Sequence, residues 1–222
     1  MKKTKIICTI GPSSSSKKIL KGLKSQGVNI FRINMSHTKL SRLPYILKHL
    51  KKNIGKEKIC IDTEGAQIRT TRVKNKIYLK KNKTINLSND ENLSTEKNIS
   101  LYPNFNILKI PINSKIFVGF EGIILKVIRK NKKQKYLVTK VLNSGILDSN
   151  KGVHINKRVI LSCLTKKDIS AIRYAKKFGV KNFAMSFVNT EKDTLFIRKL
   201  IGKKSFLISK IETLNAIKNL RK

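Results

Sequence analysis

At 222 residues the chain has room for one large domain or two small ones, and its 40% apolar content is enough for a real core. Net charge is +38, built from 41 Lys and 9 Arg against 12 acids, a balance that raises nucleic acid or an acidic surface as a partner. The cations are mostly Lys, spread from end to end among abundant Ile and Asn, whereas base reading and bidentate phosphate contacts favour Arg. That pattern reads as coding bias and a solvated basic surface, and it argues against nucleic acid.

No apolar stretch approaches the ~20 residues of a membrane helix. The apolar patch at the start is only about six residues long, short of a signal peptide's core, so the expectation is a soluble, cytoplasmic protein. Cys8, Cys60 and Cys163 are odd in number and lack CxxC or Cys/His ligand spacing, which argues against disulfides and zinc.

The first elements alternate strand and helix. "KIICTI" (5–10) is a β-branched run ended by Gly11-Pro12, and the segment after it has serine caps with Ile19, Leu20 and Leu23 on one helical face. "VNIFRINM" (28–35) is a second strand. Leu43, Ile46, Leu47, Leu50 and Ile54 repeat at helical spacing, with Pro44 tolerated in the first turn. "KICID" (58–62) is a third strand, and this rhythm calls for parallel pairing with helices outside.

After Gly65 the character changes. From about 67 to 152 short alternating runs ("KIYLKK", "KTINLS", "SKIFVGF", "IILKVIRK", "KYLVTKVL") are separated by Asn, Lys and Gly turns, which predicts a small all-β unit of antiparallel hairpins. The charge run "RKNKKQK" at 129–135 reads as a hairpin turn. The α/β rhythm then returns. Thr165 caps a helix with Asp168 three residues on, "VKNFAMSFV" is a strand, "NTEKDTLFIRKLIG" a capped helix, "SFLISKIE" a fifth buried strand, and "TLNAIKNLRK" opens a helix. Five parallel strands are too few to close an eight-stranded barrel.

In parallel α/β folds ligand sites lie beyond the carboxyl ends of the strands. Side chains two apart on a strand share a face, which aligns Arg32, Asn34 and Ser36 at one end, Asp62 and Thr63 at another, and Lys210 with Glu212 at a third. The competing reading is a pair of core ion pairs, because a buried lone charge costs several kcal/mol. The residue types suit phosphate and metal: a planar guanidinium for an anionic oxygen, a hard carboxylate for Mg2+, and an ammonium for a transferring phosphoryl group.

These segments, in this order, resemble pyruvate kinase. "TKIICTIGPSS" looks like that family's opening strand, "GVNIFRINMSH" its arginine strand, "IDTEGAQIRT" its passage into the lid domain, and "LISKIE" its catalytic lysine strand. "NSGILDSNKGVHI" and "LTKKDISAIRYAKKFGVKNFAMSFV" resemble the lid exit and the helix and strand that follow.

The resemblance implies a (β/α) barrel of the TIM type, incomplete at about five of eight strands, with an inserted small all-β domain. Its parts are 1–65, the inserted lid 66–152, and the continuation 153–222. It implies phosphoryl transfer between phosphoenolpyruvate and ADP, giving pyruvate and ATP, with Mg2+ (or Mn2+) and K+. Arg32 and Lys210 are the catalytic residues so implied, and Glu212 the Mg2+ ligand. Asn34, Ser36, Asp62 and Thr63 are the implied K+ site, and His37, Arg69 and Lys151 the implied nucleotide contacts.

The sequence also departs from the family. Glu64-Gly65-Ala66-Gln67 stands where the family has Lys-Gly-Pro-Glu, Phe120-Glu121 replaces its paired aspartates, and His154-Ile155-Asn156-Lys157 replaces Asn-Leu-Pro-Gly. The family's Arg-Gly-Asp-Leu-Gly segment, a later threonine and a C-terminal regulatory domain have no counterpart among the 222 residues. The expectation is therefore a front part that needs a second chain or an oligomer to complete the barrel. Its alternatives are a degenerate remnant and a basic phosphate- or nucleic-acid-binding protein.

Overall fold

The computed structural model describes residues 4–119, 122–157, 159 and 161–221. Phe120 and Glu121, which replace the paired aspartates, lie outside the described residues. The chain divides into two compact units, Met1–Ala66 with Ser162–Lys222, and Gln67–Leu161.

In chain order the elements are β1 (Ile6–Thr9), α1 (Lys17–Ser25), β2 (Val28–Asn34), α2 (Leu43–Ile54) and β3 (Ile59–Asp62). The second unit contains β4 (Ile68–Thr70), β5 (Ile77–Leu79), β6 (Thr84–Ser88), β7 (Asn98–Tyr102), β8 (Lys115–Val118), β9 (Ile123–Asn131), β10 (Tyr136–Asn143), β11 (Gly145–Leu147) and β12 (Gly152–Ile155). The first unit resumes with α3 (Lys166–Phe178), β13 (Asn182–Met185), α4 (Glu191–Ile201), β14 (Phe206–Ser209) and α5 (Leu214–Lys218).

The first unit is one parallel sheet in the order β1-β2-β3-β13-β14, an α/β arrangement in which each strand pairs with the one before it. Leu43, Leu47, Leu50 and Ile54 on α2, and Ala171, Ile172 and Ala175 on α3, are buried against Phe31, Ile33, Ile59, Ile61 and Phe183. Apolar helix stripes at 3.6-residue spacing thus cover one face of the sheet. α3 starts as its sequence predicts: Thr165 Oγ1 accepts the Asp168 N–H, and the Asp168 carboxylate accepts the Thr165 N–H, a capping box. On α1 only Leu20 is buried, and Ile19 is 42% exposed.

The second unit is a closed seven-stranded barrel, β10-β6-β7-β4-β12-β8-β9, with a separate β11–β5 ribbon. Its core alternates inward along each strand, as in Ile116, Val118, Leu125, Val127, Leu137 and Val141. An all-β unit of antiparallel hairpins needs one correction, since β6 and β7 pair in parallel through Asn86↔Asn98, Leu87↔Ile99 and Ser88↔Ser100. The nine residues between these two strands return the chain to the same end of the barrel. Strand β12 hydrogen-bonds to β4 and β8, so the chain leaves this unit after Leu161, where the sequence suggested 152. Among the described residues no helix is long and apolar enough to cross a membrane.

Candidate active site

Asp62 ends β3 with 0% exposure. A bare carboxylate in that position would be expensive, and it is held by cations. Its Oδ2 accepts from Arg32 through Nε and Nη2 and from Lys210 Nζ at 2.9 Å. Oδ1 lies 3.1 Å from Ser186 Oγ. The side chains of Arg32 and Lys210 remain 25% and 27% exposed, so both cations are anchored at one end and open at the other.

Strand register creates this meeting. Arg32 pairs with Thr9 on one side and Cys60 on the other, and Asn34 pairs with Asp62. Met185 pairs with Ser209, and the Lys210 N–H donates to Met185 O at 3.0 Å. The fifth strand is a correction to the sequence reading. β14 ends at Ser209, is an edge strand and is not fully buried. Lys210 and Glu212 stand just past it, and still share a side, with Nζ and Oε1 3.7 Å apart.

Glu212 is the most open of the four charged groups, with 35% side-chain exposure. Its Oε2 accepts the Phe187 N–H at 2.8 Å. Phe187 has φ +54, a left-handed conformation that is uncommon and strained for a bulky residue, and in it the N–H is aimed at Glu212. The four groups sum to zero charge: two cations, a buried anion between them, and a half-open anion at the rim.

The implied cation residues gather at the same strand ends. Asn34 Oδ1 accepts the Ser36 N–H at 3.0 Å, and the Met35 N–H donates to Asp62 O at 2.9 Å. Thr63 O lies 2.6 Å from Ser186 Oγ, while Thr63 Oγ1 accepts the Ser186 N–H at 3.1 Å. Sequence reasoning missed Ser186 and Thr9, whose Oγ1 receives Arg32 Nη1 at 2.7 Å. Both sit at strand ends, the one signal that could have found them.

The loop after Thr63 is pinned from α3. The Asp168 carboxylate accepts the N–H groups of Glu64 at 2.7 Å and Gly65 at 3.1 Å. Burial pushes its carboxyl above the usual range, against the opposite pull of N–H groups from Thr165, Glu64 and Gly65. Glu64, where the family has lysine, forms an ion pair with Lys167, which also donates to Met35 O at 2.6 Å. Cys60, beside Asp62, is driven up to about 12, first by burial and then by the Asp62 charge, so it is an inert thiol at neutral pH.

Of the implied nucleotide contacts, His37 is exposed on the turn after β2, its N–H donating to Asn34 O at 3.2 Å. Among the described residues no hydrogen bond or ion pair joins its ring to the Asp62 cluster. Arg69 and Lys151 are together in the barrel unit. Arg69 Nη1 donates to Asn150 O at 3.1 Å, and the Thr70 N–H donates to Lys151 O at 2.8 Å.

Comparison with known proteins decides the family. The family described as "Pyruvate kinase, barrel domain" matches over residues 1–222. The chain belongs to the pyruvate kinase family. It is 34% identical over 230 residues to a pyruvate kinase of Bacillus licheniformis, covering 99% of this chain and 39% of that protein. It is 35% identical over 230 residues to one from Geobacillus stearothermophilus, with the same two shares. A Staphylococcus aureus pyruvate kinase is 34% identical over 233 residues, again covering 39% of its own length. The chain thus spans about two fifths of these pyruvate kinases (39%).

Proposed function

We propose that this chain carries the phosphoryl-transferring side of a pyruvate kinase site, acting between phosphoenolpyruvate and ADP. The observation that carries the reading is the fully buried Asp62 carboxylate gripped by both Arg32 and Lys210 at the carboxyl ends of three parallel strands. Two half-open cations fixed by one buried anion form a preorganised clamp for negative charge that develops during transfer. Arg32 offers its planar fork to phosphoryl oxygens. Lys210 faces the phosphoryl group as it leaves the enol oxygen for the terminal oxygen of ADP. Asp62 holds both in place and does not react.

The family implies a divalent cation and K+. Among the described residues no cluster of three His, Cys, Asp or Glu side chains exists, so a dedicated protein cage does not fit. A Mg2+ or Mn2+ ion would fit if held by one carboxylate, with substrate oxygens and water as its other ligands. Glu212 is that carboxylate, because its open side leaves lone pairs for a hard cation. For K+, oxygens of Asn34, Ser36, Asp62 and Thr63 gather at adjoining strand ends. When bound, the divalent ion supplies positive charge that draws electron density from the phosphoryl oxygens. His37, Arg69 and Lys151 are the proposed nucleotide contacts, and the proposed setting is cytoplasmic.

The test is pyruvate release from phosphoenolpyruvate and ADP, with Mg2+ and K+, by the purified chain alone and together with a chain that completes the barrel. Lys210→Met is expected to cut the rate by about 10²–10³-fold. A rate that Lys210→Met leaves unchanged would overturn the residue assignment, and a folded chain that gives no release even with a chain that completes the barrel would favour the degenerate reading.

A further inference from the structure

Even spacing of lysines along a chain need not mean even spacing on its fold. Between residues 97 and 147 the sequence has ten Lys and Arg against one acid, Glu121. The barrel's register brings three of those lysines into one row. Lys126 on β9 is directly opposite Lys115 on β8, and on its other side directly opposite Lys140 on β10. All three alternate with buried Ile116, Leu125, Val127 and Val141, so they share the barrel's outer face. Neighbouring strands are 4.7–4.9 Å apart, which makes the row about 10 Å long.

Like charges directly opposite on a sheet destabilise it, and here the middle lysine meets one on each side. Among the described residues no ion pair reaches any of the three. An aromatic pair flanks the row. Phe117, two residues along β8 from Lys115, is opposite His154 on β12, with ring centroids 6.0 Å apart. His154 is exposed and Phe117 half-buried.

We propose that this face, across β12, β8, β9 and β10, binds single-stranded nucleic acid independently of the Asp62 cluster. The lysine row takes backbone phosphates, and the Phe117–His154 pair offers a surface on which a base stacks. Small β-barrels bind single strands by this combination of a basic track and aromatic platforms. An anionic membrane would use the charge without the aromatic pair. The preponderance of Lys over Arg fits backbone contact without base reading.

The experiment is fluorescence anisotropy of the full chain with a labelled oligouridylate of about 12 nucleotides, within the footprint of such barrels. A triple variant, Lys115→Gln, Lys126→Gln and Lys140→Gln, is expected to lose roughly a hundredfold in affinity at 0.1 M salt and about 2 units of salt slope. Its urea midpoint should hold or rise, since like-charge repulsion is removed. The control removes three exposed helical lysines, Lys18→Gln, Lys52→Gln and Lys199→Gln, and is expected to retain most of the affinity. Phe117→Leu is expected to weaken binding at least about fivefold. Equal loss in both triple variants would overturn the proposal, as would no binding at all, indifference to Phe117→Leu, or tighter binding to phosphatidylserine vesicles than to the oligonucleotide.

Discussion

The Lys210 ammonium sits 2.9 Å from Oδ2 of Asp62, a residue 148 positions earlier in the chain. The oxygen they share also receives Arg32. One buried carboxylate therefore sets the positions of two cations from two different strand ends, and its loss should be felt in stability as well as in chemistry.

Asp62→Asn takes the buried counter-charge from both cations, leaving Lys210 with only Glu212, 3.7 Å away at the rim. Removing one member of a buried ion pair costs about 3–5 kcal/mol. The lower end is expected here, because Arg32 and Lys210 each keep about a quarter of the side chain exposed. Urea unfolding of the variant against the parent measures it, and a loss smaller than that of an exposed ion pair, about 1 kcal/mol, would count against the clamp.

The junction after β3 has no room for a side chain. Gly65 has φ +71, and a Cβ there would lie 2.5 Å from the Ser186 carbonyl oxygen. Gly65→Ala therefore combines left-handed strain of about 1–2 kcal/mol with a clash against the segment that holds Asp62 and Thr63. The expected outcome is a fall of about 2–4 kcal/mol in unfolding free energy, with weaker phosphoenolpyruvate binding in whatever fraction folds. Unchanged stability would mean that β3 and β13 are packed more loosely at this point.

Much of this architecture is legible in the sequence. Short apolar runs marked all five parallel strands, and Leu43, Leu47, Leu50 and Ile54 marked the face of α2. β4, β7, β11 and β12 went unmarked because they are three to five residues long and carry Arg, Asn, Ser, Gly or His among their apolar positions. The strand-end rule found Arg32, Asp62, Lys210 and Glu212. It did not reveal that one oxygen of Asp62 serves both cations, since that follows from register between strands far apart in sequence. Ser186 and Thr9 stayed hidden because a lone small polar residue at a strand end ordinarily just begins a loop.

Asp168 gives a stability signature in pH. Its carboxyl is raised from the ordinary 3.8, chiefly by burial. Between the unfolded value and the raised folded one, the native chain holds more proton than the unfolded chain. Stability from this group is thus full below the unfolded pKa and declines as pH rises through the folded pKa. Asp168→Asn should remove that decline. Urea unfolding of parent and variant from about pH 3.5 to 7 provides the check, and parallel curves would contradict the assignment.

Cys60 and Cys163 should resist alkylation in the native state. Cys60 is 1% exposed and raised to about 12, and burial lifts Cys163 to about 11. With iodoacetamide at pH 8, peptide mass spectrometry is expected to find Cys60 intact in the native chain and modified in urea. The same shifts reduce stability as pH climbs above 9, where unfolded thiols ionise and the native ones do not.

The central claim is that Arg32, Lys210 and Glu212 face one phosphoryl group. Calorimetric titration of the folded chain with phosphoenolpyruvate, in the presence and absence of Mg2+, tests it most directly. The account predicts Mg2+-dependent binding that weakens by about tenfold or more in Lys210→Met and loses its Mg2+ dependence in Glu212→Gln. Absence of binding in the parent chain, or binding that neither substitution alters, would contradict it.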